Sequence, residues 1–165
     1  MRVITGKNRG LKLISPGVGV RPTLSRVKEA IFSSIGEEIV GKIFLDVFCG
    51  TGQMGIEAIS RGASFAVFID IDVEIAKKNL EKIKLGNFKL IKKDLLKNKE
   101  IITADIAYID PPYNMNLDFL KYIHVNDFLI LEQDKRTEVR LPANLEIIKE
   151  KSYAHTTIYF LKKFP

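Results

Sequence analysis

One cysteine, two histidines and no tryptophan occur in the 165 residues, and these scarcities exclude several classes of protein. A lone thiol, Cys49, closes no internal disulfide, so a disulfide-stapled extracellular scaffold does not fit. No cysteine and histidine cluster has ligand spacing, so no metal site is expected. His124 and His155 have no partner at triad spacing and read as surface or packing residues. No apolar run approaches the ~20 residues that a bilayer-spanning helix needs. The N-terminal MRVITGKNRGLKL is basic from the start and lacks the apolar core and cleavage site of a secretory signal. Together these absences predict a cytoplasmic protein that uses neither membrane nor metal.

What is present has ordinary globular composition, 46% hydrophobic and 28% charged, at a length typical of one domain. A single domain over residues 1–165 is expected. The net charge of +6 is not spread evenly. Residues 1–30 carry Arg2, Lys7, Arg9, Lys12, Arg21, Arg26 and Lys28 against Glu29 alone, and the rest of the chain is balanced. A block of that kind is the footprint of a phosphate-backbone binder. Charge alone leaves a solvated basic arm equally open.

The loop-like stretch ISPGVGVRPT (14–23), with Pro16, Gly17, Gly19 and Pro22, sets off residues 1–20 as a basic arm or hairpin. SRVKEAIFSSIG then reads as a helix, with Val27, Ala30, Ile31 and Ile35 inward, Thr23 or Ser25 as N-cap and Gly36 as stop. From residue 42, short apolar runs alternate with helical periods. Strands are predicted at 42–48, 65–70, 88–94, 105–110 and 128–132, and helices over MGIEAISR and VEIAKKNLEKIKLG, the latter ending at Gly86. This alternation predicts a parallel α/β sheet with helices on both faces. LEIIKEKSY (145–153) and TTIYFLKK (156–163) are separated only by Ala154 and His155, too few residues for a crossover, so they should pair antiparallel. The expected whole is a seven-stranded mixed sheet, with ligands outside the carboxyl ends of the parallel strands.

Three constellations fall on that edge. DVFCGTG (46–52) is a glycine turn before a helix, where Gly50 and Gly52 let the backbone approach a ligand. With Gly55 it also satisfies G-x-G-x-x-G, which keeps a dinucleotide oxidoreductase open. Asp70 ends the second strand, where nucleotide binders place an acid on ribose hydroxyls, and Asp72 follows as a helix cap. Asp110-Pro111-Pro112-Tyr113 ends the fourth strand. Its prolines make a rigid turn in which the Asp110 carboxylate and the Pro111 carbonyl could both accept from a planar amino group, while Tyr113 offers a face for a flipped-out base. Cys49, inside the glycine turn, reads as a small packing residue and no nucleophile.

Here the sequence resembles the class I S-adenosylmethionine-dependent methyltransferases that act on exocyclic amino nitrogens. RVITGKNRGLKL, RPTLSRVKEAIFSSIG, FLDVFCGTGQMGIEAISRGAS and DPPY together are similar to the RsmD-type family of bacterial 16S rRNA guanine-N2 methyltransferases, through residues 2–113. The resemblance implies a Rossmann-like methyltransferase fold, S-adenosylmethionine as methyl donor, and 16S rRNA, in a 30S subunit or assembly intermediate, as partner; nothing in the sequence requires more than a monomer. It places Asp46, Phe48, Gly50, Thr51, Gly52, Asp70, Ile71 and Asp94 around the cofactor, with Thr23 and Arg26 closing over it. Asp110, Pro111, Pro112 and Tyr113 would be catalytic, and Arg2, Lys7, Arg9, Lys12 and Arg21 would meet RNA. Glu132 falls where the family tends to have an acid, with no role attached. The chain departs from the family in its compressed NMNLDFLKYIHVND and in Tyr153-Ala154-His155-Thr156, where Tyr-Gly-x-Thr is common. Methylation of adenine N6 in DNA or of another RNA, and a non-catalytic RNA-binding module, are the competing readings.

Overall fold

Apolar runs rich in β-branched and aromatic residues pair into one seven-stranded sheet in the computed structural model, which describes residues 1–16, 25–83 and 87–164. The strands are β1 (Ile43–Val47), β2 (Phe65–Asp70), β3 (Phe88–Lys92), β4 (Ile102–Ile109), β5 (Ile123–Asp134), β6 (Leu145–Tyr153) and β7 (Thr156–Lys163). Their order is β3-β2-β1-β4-β5-β7-β6. The first five are parallel, and β7 runs antiparallel to both β5 and β6. The mixed sheet and its closing hairpin are thus as expected. Winding reverses between β1 and β4, so their carboxyl ends flank the crevice in which such sheets hold ligands.

Side chains alternate across the sheet. Phe44, Ile106, Tyr108, Ile130 and Ile158 pack on α1 (Ser25–Ile35) and α2 (Gln53–Ser60), while Ala66 and Phe68, on the same side, meet α2 and α3 (Glu74–Leu80). Leu45, Val47, Ile69, Ala107, Ile109, Leu129 and Leu131 project the other way, beneath a short 3-10 helix, Leu117–Tyr122. Helical cover therefore lies on both faces but unevenly, with three α-helices on one and a single 3-10 segment on the other among the described residues.

The boundaries differ from expectation where tertiary contacts decide them. β5 starts at Ile123, ahead of its apolar run, because polar residues there have partners. Asn126 donates to Asp105 at 2.7 Å, and Lys42 pairs with Asp127 at 2.8 Å. α3 ends at Leu80 rather than near Gly86, which lies outside the described residues, as do Thr23 and Arg21. In α1 Ala30 is half-buried, and the inward stripe is Val27, Lys28, Ile31, Phe32 and Ile35.

The basic arm does not stand apart from the body. Arg2 and Lys12 form an antiparallel bridge, Val3 N–H donates to Leu11 O at 3.1 Å, and Val3 and Leu13 are buried. This hairpin lies on α2, where the fully buried Glu57 carboxylate accepts from Ile4 N–H (2.8 Å), Thr5 N–H (3.0 Å) and Arg61 Nε (2.9 Å). Lys28 Nζ, also fully buried, lies 3.3 Å from Glu57 and donates to Arg2 O at 2.7 Å. Ser60 Oγ accepts from Asn8 N–H and donates to Thr5 O. Gly6 (φ +87°) passes so close to α2 that a Cβ would sit 1.7 Å from Ser60 O. Gly6→Ala should therefore loosen the hairpin, by about 1–3 kcal/mol. Faster hydrogen exchange at Val3 and Leu13, with exchange in β1 and β4 unchanged, is the expected result.

Candidate active site

A cleft of about 810 Å³ opens at the carboxyl ends of β1, β2, β4 and β5. Its lining includes Asp46, Asp70, Asp72, Asp94, Asp110, Glu132 and Asp134, and no lysine, arginine or histidine among the described residues. On a protein of net charge +6 this is a local inversion of sign. The field inside favours a cation and opposes a pyrophosphate. That argues against the dinucleotide reading of G-x-G-x-x-G and suits a ligand carrying a sulfonium and an ammonium.

The glycine turn is built by its neighbours. Phe48 adopts φ 58° although it is not glycine, with its ring edge-on to Phe119 at 5.4 Å. A non-glycine residue in this region is held there by surrounding structure. Gly52 (φ 76°) caps α2, and Asp46 Oδ2 accepts from Gly55 N–H at 2.8 Å, filling one of the helix's unpaired donors. Burial pushes the Asp46 carboxyl up to about 8 against the pull of that bond. Asp70 accepts from Gly50 N–H at 2.8 Å and Asp72 N–H at 3.2 Å, which ties the turn to the end of β2 and leaves acceptor sites facing the cleft. Asp72 accepts from Glu74 N–H and so stays with α3, as its capping role predicts. Ile71, 62% exposed, presents an apolar face at the mouth. Asp94 accepts from Leu96 N–H. Cys49 is buried, and desolvation raises its thiol far beyond reactivity.

Asp110 differs from these acids. Its amide reaches Val47 O at 3.5 Å, but no hydrogen bond from a described residue holds its carboxyl. Burial, then Glu132, then Asp46 raise it well above the ordinary carboxylate range. Pro111, Pro112 and Tyr113 follow at the rim, and the Tyr113 hydroxyl donates to Asp134 while most of its ring is exposed. Asp134 is in turn held far below the ordinary range, first by Arg136 and then by Tyr113.

The structure thus brings Asp46, Phe48, Gly50, Thr51, Asp70, Ile71, Asp94 and Asp110 through Tyr113 to one cleft, with Gly52 just behind as the α2 cap. It does not bring Arg26 there: that side chain is exposed on α1 and absent from the lining. Arg2, Lys7, Arg9 and Lys12 are exposed along the hairpin. Asn79 was not anticipated. Fully buried, its side chain donates to Thr51 O at 2.9 Å and accepts from Ile14 N–H at 2.7 Å, joining the glycine turn to the hairpin.

Comparison with known proteins agrees. Residues 1–162 match the family model described as conserved hypothetical protein 95. Ribosomal RNA small subunit methyltransferase D of Buchnera aphidicola is 31% identical over 164 residues, covering 90% of this chain and 86% of the relative. The solved structure of yhhF from Escherichia coli superposes with TM-score 0.83 at 30% identity, over 99% of this chain and 97% of that one. The 16S rRNA methylase RmtB, at 18% identity and TM-score 0.66 over 82% of this chain and 61% of its own, shares the fold. The chain belongs to the conserved hypothetical protein 95 family, that of the ribosomal RNA small subunit methyltransferase D enzymes.

Proposed function

We propose that this protein transfers a methyl group from S-adenosylmethionine to the exocyclic N2 amino group of a guanine in 16S rRNA. The observation that carries this reading is the Asp110 carboxyl, which no described residue engages, at the centre of an acid-lined cleft behind a Pro-Pro-Tyr rim. The cleft's charge and size fit the donor, whose positively charged sulfur presents an electrophilic methyl group when bound. Asp70 would take the ribose hydroxyls, Ile71 and Asp94 would border the adenine, and the Phe48 to Gly52 turn with Asp46 would hold the methionine end. Asp110 and the Pro111 carbonyl would accept the two amino protons, fixing the nitrogen lone pair toward the methyl carbon.

The hairpin supports an RNA partner. Arg2 and Lys12 face each other across its bridge, an arrangement of like charges that is unfavourable unless a polyanion neutralises it. A monomer acting on a cytoplasmic 30S particle or its assembly intermediate completes the reading. No described helix is long and apolar enough to cross a membrane, and the described residues hold no metal-ligand cluster.

Labelled S-adenosylmethionine, offered with 30S subunits or naked 16S rRNA from cells lacking this protein, should give N2-methylguanosine. Label in N6-methyladenine, or in duplex DNA in preference to rRNA, would overturn the assignment. Cofactor binding carries its own signature. A cationic ligand favours the ionised form of Asp46, whose carboxyl is otherwise protonated up to about pH 8. Calorimetry at pH 7 in buffers of differing ionisation enthalpy should therefore show a proton released on binding. Without the ligand the same raised value works against the fold, since stability falls as pH climbs from the ordinary carboxyl range through about 8.

A further inference from the structure

We propose, on the footing of the RNA-methyltransferase reading, that Asp134 is a positioning residue for the target base: it anchors the Tyr113 hydroxyl so that the exposed ring stands as a fixed stacking face at the mouth of the cleft. Tyr113 is 65% exposed, yet its hydroxyl donates to Asp134 Oδ2. Both residues line the cleft, one just beyond β4 and the other at the end of β5.

The backbone beneath Tyr113 offers the ring little support. Pro111 and Pro112 have no N–H to give to a ladder. Asn114, at φ 57°, turns the chain back, and Met115 N–H donates to Pro112 O at 3.2 Å. The ring therefore projects from a turn. Asp134 is placed differently, since it pairs with Thr156 of β7 while Lys135 N–H donates to His155 O at 2.9 Å. A tight turn follows, closed by Thr137 N–H on Asp134 O at 2.9 Å. Within it Asp134 Oδ1 accepts from the Arg136 amide and from Arg136 Nε, each at 2.9 Å, and Oδ2 accepts from Nη2 at 3.2 Å. The Asp134 side chain is 5% exposed, against 85% for Arg136. A loosely supported ring is thus tied to a braced strand end.

Charge accounts for the third member. A bare carboxylate at the mouth would repel an incoming polyanion. Arg136 cancels that charge and turns the outer side of its guanidinium to solvent as a cation. Holding the ring before RNA arrives removes the rotamer freedom that a free tyrosine would surrender on stacking. That saving is the same for bound substrate and for the transition state, so it belongs in KM and not in kcat.

The test joins ring dynamics to kinetics. Relaxation of carbon-13-labelled tyrosine rings is measured in ligand-free protein, with the Tyr113 resonance identified by its loss in Tyr113→Phe. The ring's order parameter should lie near ~0.85 in wild type and below ~0.6 in Asp134→Asn. That variant keeps an oxygen for the Arg136 amide, so cofactor affinity and Tm should stay near wild type. In methyl transfer to 30S subunits, KM for the RNA should rise roughly fivefold with kcat little changed, and by the same factor in Y113F and in the double variant. An unmoved ring in D134N, or a freed ring with an unmoved KM, overturns the proposal. So does a rise in Y113F alone, which would put the hydroxyl on the RNA itself, or a loss of cofactor affinity in step with KM, which a merely structural role would give. Should D134N fail to fold, Y113F labelled at phenylalanine decides, because it removes the same hydrogen bond from the other side. A ring as ordered as in wild type, with KM unchanged, then overturns the anchor. The relaxation needs no RNA, so an ordered ring in wild-type protein that yields no N2-methylguanosine would fault the RNA reading and leave the anchor standing.

Discussion

Asp110→Ala should lower methyl transfer by about 10³-fold while leaving cofactor affinity and thermal stability close to wild type. The magnitude is that of removing a preorganised group whose partner is the reacting centre. The selectivity follows from what each acid in the cleft already does. Asp46, Asp70, Asp72, Asp94 and Asp134 accept from backbone amides, and their removal would disturb the walls that they brace. The Asp110 carboxyl is engaged by no described residue, and its burial works against its charge. Removing it breaks no hydrogen bond from a described residue and relieves a desolvation penalty. Asp110→Asn, which keeps one acceptor but takes no proton, should fall between alanine and wild type. Single-turnover kinetics with calorimetry on the same preparations would check this, and comparable losses of cofactor binding and turnover would contradict it.

Glu57→Ala should be the most destabilising single substitution far from the chemistry. It leaves the Lys28 ammonium buried without its counter-ion and strips acceptors from Ile4, Thr5 and Arg61. Breaking a buried pair by removing one partner is worth about 3–5 kcal/mol, a large part of the 5–15 kcal/mol typical of a whole domain. At this chain length each kcal/mol shifts Tm by about 2–4 °C, so a fall of roughly 10 °C is expected by calorimetry. Burial already draws the Lys28 ammonium down from the ordinary lysine range, with Glu57 opposing it. The double variant Lys28→Met, Glu57→Met should recover the electrostatic part and not the hairpin amides. A double variant no more stable than Glu57→Ala would show that the amides dominate.

These two side chains also mark where the sequence was legible and where it was not. β1, β2 and β7 could be read because their apolar runs are largely buried, and β6 because only Ala154 and His155 separate it from β7. The acids at the cleft could be read because turn residues beside strand ends have few structural uses. The first half of β5 could not, since His124, Asn126 and Asp127 look like loop until a neighbouring strand supplies their partners. Lys28 and Asn79 are not legible in this way because a polar residue on a helix reads as solvent-facing. Yet Lys28, Ile31, Phe32 and Ile35 stand at i, i+3, i+4 and i+7, and so do Ala76, Asn79, Leu80 and Ile83. A polar residue on the apolar stripe was the signal, and both mark sites where the hairpin docks.

The position of β7 also governs when the fold can close. β7 follows the other strands in sequence yet lies inside the sheet, between β5 and β6, with Ile158 and Leu161 buried. As the chain leaves the ribosome, β5 keeps an open, apolar edge until residues 156–163 emerge, and β6 has nothing to pair with. Parallel pairing of the earlier strands cannot seal that edge, so until β7 is available the growing chain presents a template for wrong partners. Even after closure, the site keeps a dependence on that late strand, because β7 braces the β5 segment that carries Glu132 and Asp134.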